Sequence, residues 1–164
     1  METVYFNKTG KENTEETLKL AKKVAGEEGI DNIVLASTTG YTAEKAIEIC
    51  AGLRLIVVGI ERSDFPSELI EKLERDGNKV YFSHEEEYDY PSDMQTAFRR
   101  FSEGTKVAVE VVVIAAQKNA VEVGKRVIAI AGTGKGADTA FVINVARDFD
   151  DVVVEELICK PRQI

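Results

Sequence analysis

The sequence predicts an α/β fold of three layers: a mostly parallel mixed sheet with helices on both faces and an antiparallel edge near the C-terminus. Apolar runs rich in β-branched residues alternate with segments of helical period. The run "LRLIVVGI" is typical of a strand covered on both sides. The C-terminal third is richer in strands. Because no linker or change of composition divides the 164 residues, we expect one domain over residues 1–164.

The first half alternates strand and helix regularly. Asn13, with Glu16 three residues later, has the spacing of a capping box that opens the first helix, and Gly26 and Gly29 close it. Pro66 marks the start of a later helix. The strands of this half are "TVYF" (3–6), "NIVLA" (32–36), "LRLIVVGI" (53–60) and "KVYF" (79–82).

The middle of the chain contains an acidic, aromatic loop, "SHEEEYDYP", at residues 83–91. Ser92 and Gln95 have the spacing of a helix cap after this loop. We expect the inner face of the helix that follows to be Met94, Ala97, Phe98 and Phe101.

The segment "TKVAVEVVVIAAQKNAVEVG", residues 105–124, has the β-branched content of a strand. Its length, with Lys106 and Glu110, favours a mostly buried helix instead. After it, "KRVIAIAGTGKGADTAFVINV" predicts a strand, a glycine loop and a second strand, and "DVVVEELI" predicts a last strand.

Composition and charge limit the classes of partner. The formal net charge is −8, so no field over the whole protein attracts phosphate backbones or anionic lipid, and we expect no nucleic-acid and no membrane partner. The N-terminus lacks the basic start and apolar stretch of a signal peptide, which predicts a cytoplasmic protein. Cys50 and Cys159 have no CxxC spacing, so we expect buried thiols and neither a disulfide nor a metal site.

The first candidate binding loop is "STTGYT", directly after the strand "NIVLA". Hydroxyl groups, a glycine that permits a tight turn and the amino end of the next helix together form a neutral cradle for a phosphate. The alternative is a simple helix cap by Thr39 or Thr42. The candidate residues are Ser37, Thr38, Thr39, Gly40, Tyr41 and Thr42.

The second candidate loop is "AGTGKGADT", residues 131–139, where backbone amides can approach an anion closely while Lys135 adds charge. Its glycine spacing satisfies a dinucleotide-binding GxGxx(G/A), but a strand follows instead of the required helix, and the P-loop spacing is absent. A glycine-rich hairpin with an exposed lysine is the alternative. The candidate residues are Gly132, Thr133, Gly134, Lys135, Gly136, Asp138 and Thr139.

Both loops resemble a known domain. "IVLASTTGYTAEKAIEICAGLRLIVVGI" and "GKRVIAIAGTGKGADTAFVINV" are similar to the C-terminal α/β domain of pyruvate kinase, whose allosteric members hold the phosphates of a sugar bisphosphate effector with these loops. "STTGYTAEKA" and "GTGKGADTAFVINVA" resemble a stand-alone archaeal family related to that domain. The resemblance does not imply pyruvate kinase activity, because 164 residues leave no room for the catalytic barrel.

"STTGYT" is also similar to the flavodoxin loop (S/T)-x-T-G-x-T, which wraps the phosphate of flavin mononucleotide (FMN). This resemblance implies FMN as a cofactor held by residues 37–42. In flavodoxins the loop follows the first strand, whereas here a strand and a helix precede it. Tyr41, Tyr88 and Tyr90 are the aromatic residues that could flank the flavin ring.

Catalytic groups are hard to find. His84 is the only histidine and is either a solvated or capping residue or one with a ligand-facing or acid/base role. The run Glu85–Glu87 is expected to be solvated. Because a carboxylate repels a phosphate, Asp138 is expected to meet a ribityl or sugar hydroxyl, or to hold its loop by accepting hydrogen bonds from backbone amides.

The sequence therefore predicts a domain that binds FMN or a similar phosphorylated small molecule, with no catalytic residue assigned. Two alternatives stay open. One is a sugar-phosphate effector or sensor module, and the other is a structural oligomerisation domain without a cofactor. A homo-oligomer is compatible with all three.

Overall fold

The protein folds as one seven-stranded mixed sheet with helices on both faces. The structure is a computed structural model that describes residues 2–164. The strands are β1 (Val4–Phe6), β2 (Asn32–Ala36), β3 (Arg54–Gly59), β4 (Lys79–Phe82), β5 (Arg126–Ala131), β6 (Thr139–Asn144) and β7 (Val153–Pro161). The α-helices are α1 (Thr14–Glu28), α2 (Tyr41–Ile49), α3 (Ser67–Arg75), α4 (Ser92–Arg99) and α5 (Glu103–Gln117).

The strand order is β1-β7-β6-β5-β2-β3-β4. β6 runs antiparallel to both β5 and β7, while the remaining neighbours are parallel. The mostly parallel mixed sheet with antiparallel pairing near the C-terminus is confirmed. β7 and β1 lie beyond the antiparallel strand, so β1 and β4 are the outermost strands.

The register of the central strands brings three loops to one edge of the sheet. Ala36 at the end of β2 pairs with Val58 of β3, and Leu35 pairs with Ile130 of β5. β2, β3 and β5 are parallel, so their carboxyl ends share an edge. From β2 the chain continues to β3 on one side, and β5 occupies the other side. Open α/β sheets bind ligands at such a switch in strand order.

Alternate residues of the strands point to opposite faces of the sheet and pack into two separate hydrophobic cores. Ile33 and Leu35 pack with α1, α2 and α3 on one face, whereas Val34 packs with α5 on the other. A strand buried on both faces needs apolar residues at consecutive positions, which explains the apolar runs in the sequence.

α5 confirms the predicted buried helix and begins at a side-chain cap. Ser102 Oγ accepts a hydrogen bond from the Thr105 backbone N–H at 3.0 Å. The helix is 15 residues long and runs from Glu103 to Gln117. It therefore ends seven residues before the end of the segment, residues 105–124, from which it was predicted. In the part of the chain that the structure describes, no helix is long and apolar enough to cross a membrane.

Two other helix caps were predicted: Asn13 does occupy the N-cap position of α1, but its side chain makes no cap bond, and the cap predicted at Ser92 is wrong. Asn13 directs its side-chain amide to the Lys8 carbonyl, 2.7 Å away, because a 3-10 turn precedes α1 and gives Asn13 a helical backbone. Ser92 is the first residue of α4 and makes no cap bond, while the Gln95 side-chain amide donates to the Tyr90 carbonyl at 2.8 Å.

The predicted inner face of α4 is also partly wrong. Met94 and Phe98 are half-buried, but Ala97 is exposed and Phe101 has 58% of its surface exposed. α4 ends at Arg99, so Phe101 lies in the turn before α5 and does not continue the helical face.

Replacement of Ser102 by Ala removes a cap whose hydroxyl is buried. We expect the free energy of unfolding to fall by about 1 to 2 kcal/mol, because the Thr105 N–H loses its side-chain acceptor and the buried Thr139 hydroxyl loses its hydrogen-bond partner Ser102. Ser92→Ala, at an exposed helix start without a cap bond, is the matched control and should change stability little. Urea denaturation of both variants checks this, and equal losses would contradict the assigned cap.

Candidate functional site

A cavity of about 490 Å³ lies at the edge where β2, β3 and β5 end. This volume is in the range of small-molecule pockets. Both loops that the sequence singles out contribute to its wall, together with the ends of β2 and β3 and one side of α5. From the two loops, the lining residues are Ser37, Thr38, Thr39, Tyr41, Thr42, Gly132, Gly134, Lys135 and Gly136.

The hydroxyl groups of the first loop divide into two kinds. Thr38 and Thr39 are exposed, whereas Ser37 and Thr42 are buried. Ser37 Oγ accepts a hydrogen bond from the Ala43 N–H at 3.2 Å, so Ser37 provides the side-chain bond to the first turn of α2. This bond corrects the alternative that Thr39 or Thr42 caps the helix. Thr38 and Thr39 keep their hydroxyls for the cavity.

Gly40 allows the turn between β2 and α2. Its φ of 93° lies in the left-handed region, as a tight turn at this glycine requires. A Cβ atom here would also come within 2.7 Å of Leu69 Cδ2. Gly40 therefore packs against α3, and its neighbours Thr39 and Tyr41 face the cavity.

Each of the two loops contains a run of backbone N–H groups without a protein acceptor. Within the described chain, none of the N–H groups of residues 38–42 and of residues 132–136 donates to a protein acceptor. The first group precedes and opens α2, where the partial positive charge of the helix dipole adds to the field of the amides. Unpaired N–H groups in a loop before a helix are a favourable environment for an anion.

The glycine loop is pinned at its C-terminal side. The Ala137 N–H donates to Thr14 Oγ1 at 3.0 Å, and the Asp138 N–H donates to the Ala131 carbonyl at 3.0 Å. Gly136 has φ of 85°, and a Cβ atom there would lie 2.4 Å from Thr14 Oγ1. The loop thus rests directly on the start of α1.

Asp138 is fully buried and does not line the cavity. Its Oδ2 accepts from the Gly10 N–H at 2.9 Å and from Thr133 Oγ1 at 2.7 Å, and its Oδ1 accepts from Thr139 Oγ1 at 2.8 Å. This geometry matches the expectation that Asp138 holds its loop through a backbone amide. Because the carboxylate is buried behind these donors and does not line the cavity, it is not placed to meet a ligand hydroxyl there.

A chain of hydroxyl groups connects this carboxylate to α5. Thr139 gives its proton to Asp138, so Ser102 Oγ must donate to Thr139 Oγ1, 3.0 Å away. Ser102 then accepts from Thr105 Oγ1 at 2.8 Å and from the Thr105 N–H. Asp138 and Thr139, which are buried, and Thr133, which is half-buried, therefore support the cavity from behind and do not form its wall.

Three lysines surround the ring of Tyr41, which lies in the cavity wall at its loop end, and of the three only Lys135 itself lines the cavity. The ammonium groups of Lys11, Lys135 and Lys45 lie 4.8, 5.2 and 5.9 Å from the centre of the Tyr41 ring. Lys45 pairs with Glu15 at 3.3 Å. Among the described residues, Lys11 and Lys135 have no carboxylate within ion-pair distance, so this end carries local positive charge in an acidic protein.

Sequence reasoning missed the wall that α5 contributes. Lys106 and Glu110 line the cavity with largely buried side chains, and their charged atoms lie 3.4 Å apart. Tyr88 donates to Glu110 Oε2 at 2.9 Å, and burial together with the Glu110 charge raises the pKa of Tyr88 to about 12. The signal in the sequence is the spacing of Lys106 and Glu110, four residues apart in an otherwise apolar segment, which places both on one face of a helix.

The other residues of the acidic loop have mixed positions. His84 is exposed, lines the cavity and pairs with Glu61. Tyr90 lies outside the cavity lining, because its ring stacks on Phe149 with centres 4.0 Å apart and its hydroxyl donates to the Lys106 carbonyl. Tyr90 therefore does not flank a ligand there.

Two further expectations concern charge and thiols. Within the run Glu85–Glu87, Glu85 pairs with Arg62 and Glu86 with Lys118, so the run is not simply solvated. Cys50 and Cys159 are buried, and burial raises their thiol pKa values to about 11 and about 12. Over residues 2–164, no group of three His, Cys, Asp or Glu side chains is placed to hold a metal ion.

Comparison with known proteins identifies related domains. A model of the pyruvate kinase alpha/beta domain matches residues 15–145. The structure of Cryptosporidium parvum pyruvate kinase in complex with ADP is similar over 80% of this chain and 23% of that chain, with a TM-score of 0.52 and 17% identity. A second pyruvate kinase structure from that organism has a TM-score of 0.45 and 18% identity over 73% of this chain and 20% of that chain.

The family match confirms the resemblance of the two loop sequences to the pyruvate kinase C-terminal domain. The structural likeness at 17% identity concerns the fold alone. This chain covers only 23% of the length of the matched enzyme.

Replacement of Gly136 by Ala tests how closely the glycine loop rests on α1. We expect the free energy of unfolding to fall by about 2 to 4 kcal/mol, from left-handed strain plus the contact with Thr14 and Lys11. Gly134→Ala is the control within the same loop, because Gly134 also has positive φ but has open space around it. It should cost roughly 1 kcal/mol. Thermal unfolding separates the two, and a Gly136 variant as stable as the Gly134 variant would contradict this packing.

Proposed function

This chain belongs to the family of pyruvate kinase alpha/beta domains, and we propose that it binds the phosphate group of a phosphorylated small molecule. The observation that carries the proposal is that unpaired backbone amides of residues 38–42 and of residues 132–136 belong to two loops lining one cavity. Amides bind an anion without needing a net positive protein. The ammonium group of Lys135, which lines the cavity, adds attraction at the same end, and Lys11 lies next to it against the ring of Tyr41.

The proposal does not include the pyruvate kinase reaction. The described residues form the α/β sheet and its helices. The active site of a barrel enzyme is built from the loops of its barrel. The proposed function is therefore ligand binding by the domain itself.

FMN is the first candidate for the whole ligand. Beyond the two loops the cavity wall includes apolar side chains of β3 and α5, among them Val58, Val107 and Val111. Such a surface suits the ring of a flavin, and the ring of Tyr88 contributes an aromatic surface to the same wall. The hydroxyls of Thr38 and Thr39 face the cavity as phosphate donors.

A phosphorylated sugar is the second candidate, in an effector or sensor role. The observation that favours it is the polar part of the wall, where Ser83, Tyr88, Lys106 and Glu110 offer hydrogen bonds to hydroxyl groups. An assembly with a second copy of the chain is compatible with either ligand.

Removal of the Lys135 charge should weaken binding of phosphorylated ligands. For Lys135→Gln we expect FMN affinity to fall by about tenfold, since a charge-assisted hydrogen bond is worth roughly 1.5 kcal/mol. Thr39→Val should also lower the affinity, because the exposed Thr39 hydroxyl lines the cavity. Quenching of flavin fluorescence measures both.

Thr96→Val, which changes an exposed threonine of α4 outside the cavity lining, is the control and should bind like the wild type. Parallel titrations with ribose 5-phosphate separate the two candidates. The proposed phosphate site is wrong if neither FMN nor ribose 5-phosphate binds the wild type. It is also wrong if the Lys135 and Thr39 variants bind the ligand as tightly as the wild type does.

A further inference from the structure

The charged residues of α5 form one stripe that faces the cavity. Apart from these residues the helix carries no charge in its sequence, "EGTKVAVEVVVIAAQ". Its charged members are Glu103, Lys106 and Glu110, and all line the cavity. A buried helix gains nothing in packing from charges at such positions, because their desolvation is unfavourable. The stripe therefore points to a role in binding.

The stripe extends away from the glycine loop. The contact between Ser102 and Thr139 fixes the start of α5 next to that loop. At about 1.5 Å per residue, Lys106 lies about 5 Å and Glu110 about 11 Å along the helix axis from Glu103. A ligand whose phosphate occupies the loops would reach these side chains with its non-phosphate part.

The ammonium group of Lys106 has N–H donors without an acceptor in the described structure. Its ammonium group carries three N–H groups, and in the described structure its hydrogen bonds are limited to Glu110 Oε1 at 3.4 Å. Only 14% of the Lys106 side chain is exposed, so water access to the remaining donors is restricted. Glu110 is fixed in turn by the hydroxyl of Tyr88, which holds the carboxylate and its lysine in place.

The net charge of the stripe indicates which kind of ligand group can bind next to it. Lys106 is neutralised by Glu110, and Glu103 is paired with Arg99 at 3.1 Å. A second phosphate or carboxylate would meet two carboxylates and no unpaired cation there, in contrast to Lys11 and Lys135 at the loop end. A neutral oxygen acceptor, such as a carbonyl or hydroxyl, fills the open donors without adding charge.

We infer that Lys106 is a specificity residue that donates to a neutral oxygen acceptor on the non-phosphate part of the ligand, with Glu110 as its positioning residue. The ligand class is then a phosphomonoester with a carbonyl- or hydroxyl-bearing remainder, and not a bisphosphate. This inference rests on the proposed phosphate site, because it uses the loops to fix the other end of the ligand.

Lys106→Met tests the inference when several probes are compared on the full chain. We expect it to weaken FMN or hexose 6-phosphate, whichever binds the wild type more tightly, by at least about tenfold in calorimetric titration. Binding of inorganic phosphate, followed by ³¹P NMR line broadening, should stay unchanged. Lys106→Arg should recover part of the lost affinity, and wild-type protein should bind hexose 6-phosphate more tightly than hexose 1,6-bisphosphate.

Lys118→Met is the matched control, because Lys118 also pairs with a glutamate, Glu86, but lies outside the cavity lining. Unchanged affinity for the organic probe in Lys106→Met, or tighter binding of the bisphosphate, overturns the inference while leaving the phosphate site intact. Absence of binding of all probes to the wild type overturns the proposed function and this inference with it. Melting temperatures of the variants separate loss of fold from loss of contact.

Discussion

The buried carboxylate of Asp138 is the interaction on which the cavity depends. It accepts from the Gly10 backbone, from Thr133 and from Thr139, and through Thr139 it reaches the cap of α5 at Ser102. Three parts of the chain that are distant in sequence, namely Gly10, the glycine loop and the start of α5, are therefore linked through this one carboxylate. A buried carboxylate is costly unless donors surround it, so the positions of these segments are coupled. Within the glycine loop, Thr133 and Asp138 take part in this network and do not line the cavity, whereas Gly134, Lys135 and Gly136 do.

This arrangement explains how an acidic protein can offer a site for an anion. The acidic group nearest to the glycine loop is enclosed by protein donors, and the amides of residues 38–42 and 132–136 are left unpaired. Positive charge is supplied locally by Lys11 and Lys135, while the charges on α5 are paired. The cavity thus has a cationic end and a neutral polar end, which is the polarity expected for a phosphomonoester.

The sequence predicted features that depend on local patterns and missed those that depend on contacts between distant residues. Strand and helix alternation, the buried α5 and both loops follow from periodicity and turn residues. The bond between Gly10 and Asp138 spans 128 positions, and no local signal reveals it. The cap predicted at Ser92 was wrong, since the same spacing occurs without a cap bond. The position of Lys106 in the cavity wall was missed because only the packing of α5 shows which side of the helix faces the cavity.

The central claim is that two loops, held in place by one buried carboxylate, bind one phosphate together. The most direct measurement is a two-dimensional ¹⁵N–¹H NMR titration of the protein with FMN, followed by one with inorganic phosphate. The account predicts that amide signals of residues 38–42 and of residues 132–136 shift together with the same dissociation constant for each ligand. Shifts confined to one loop, or located outside both loops, would contradict it.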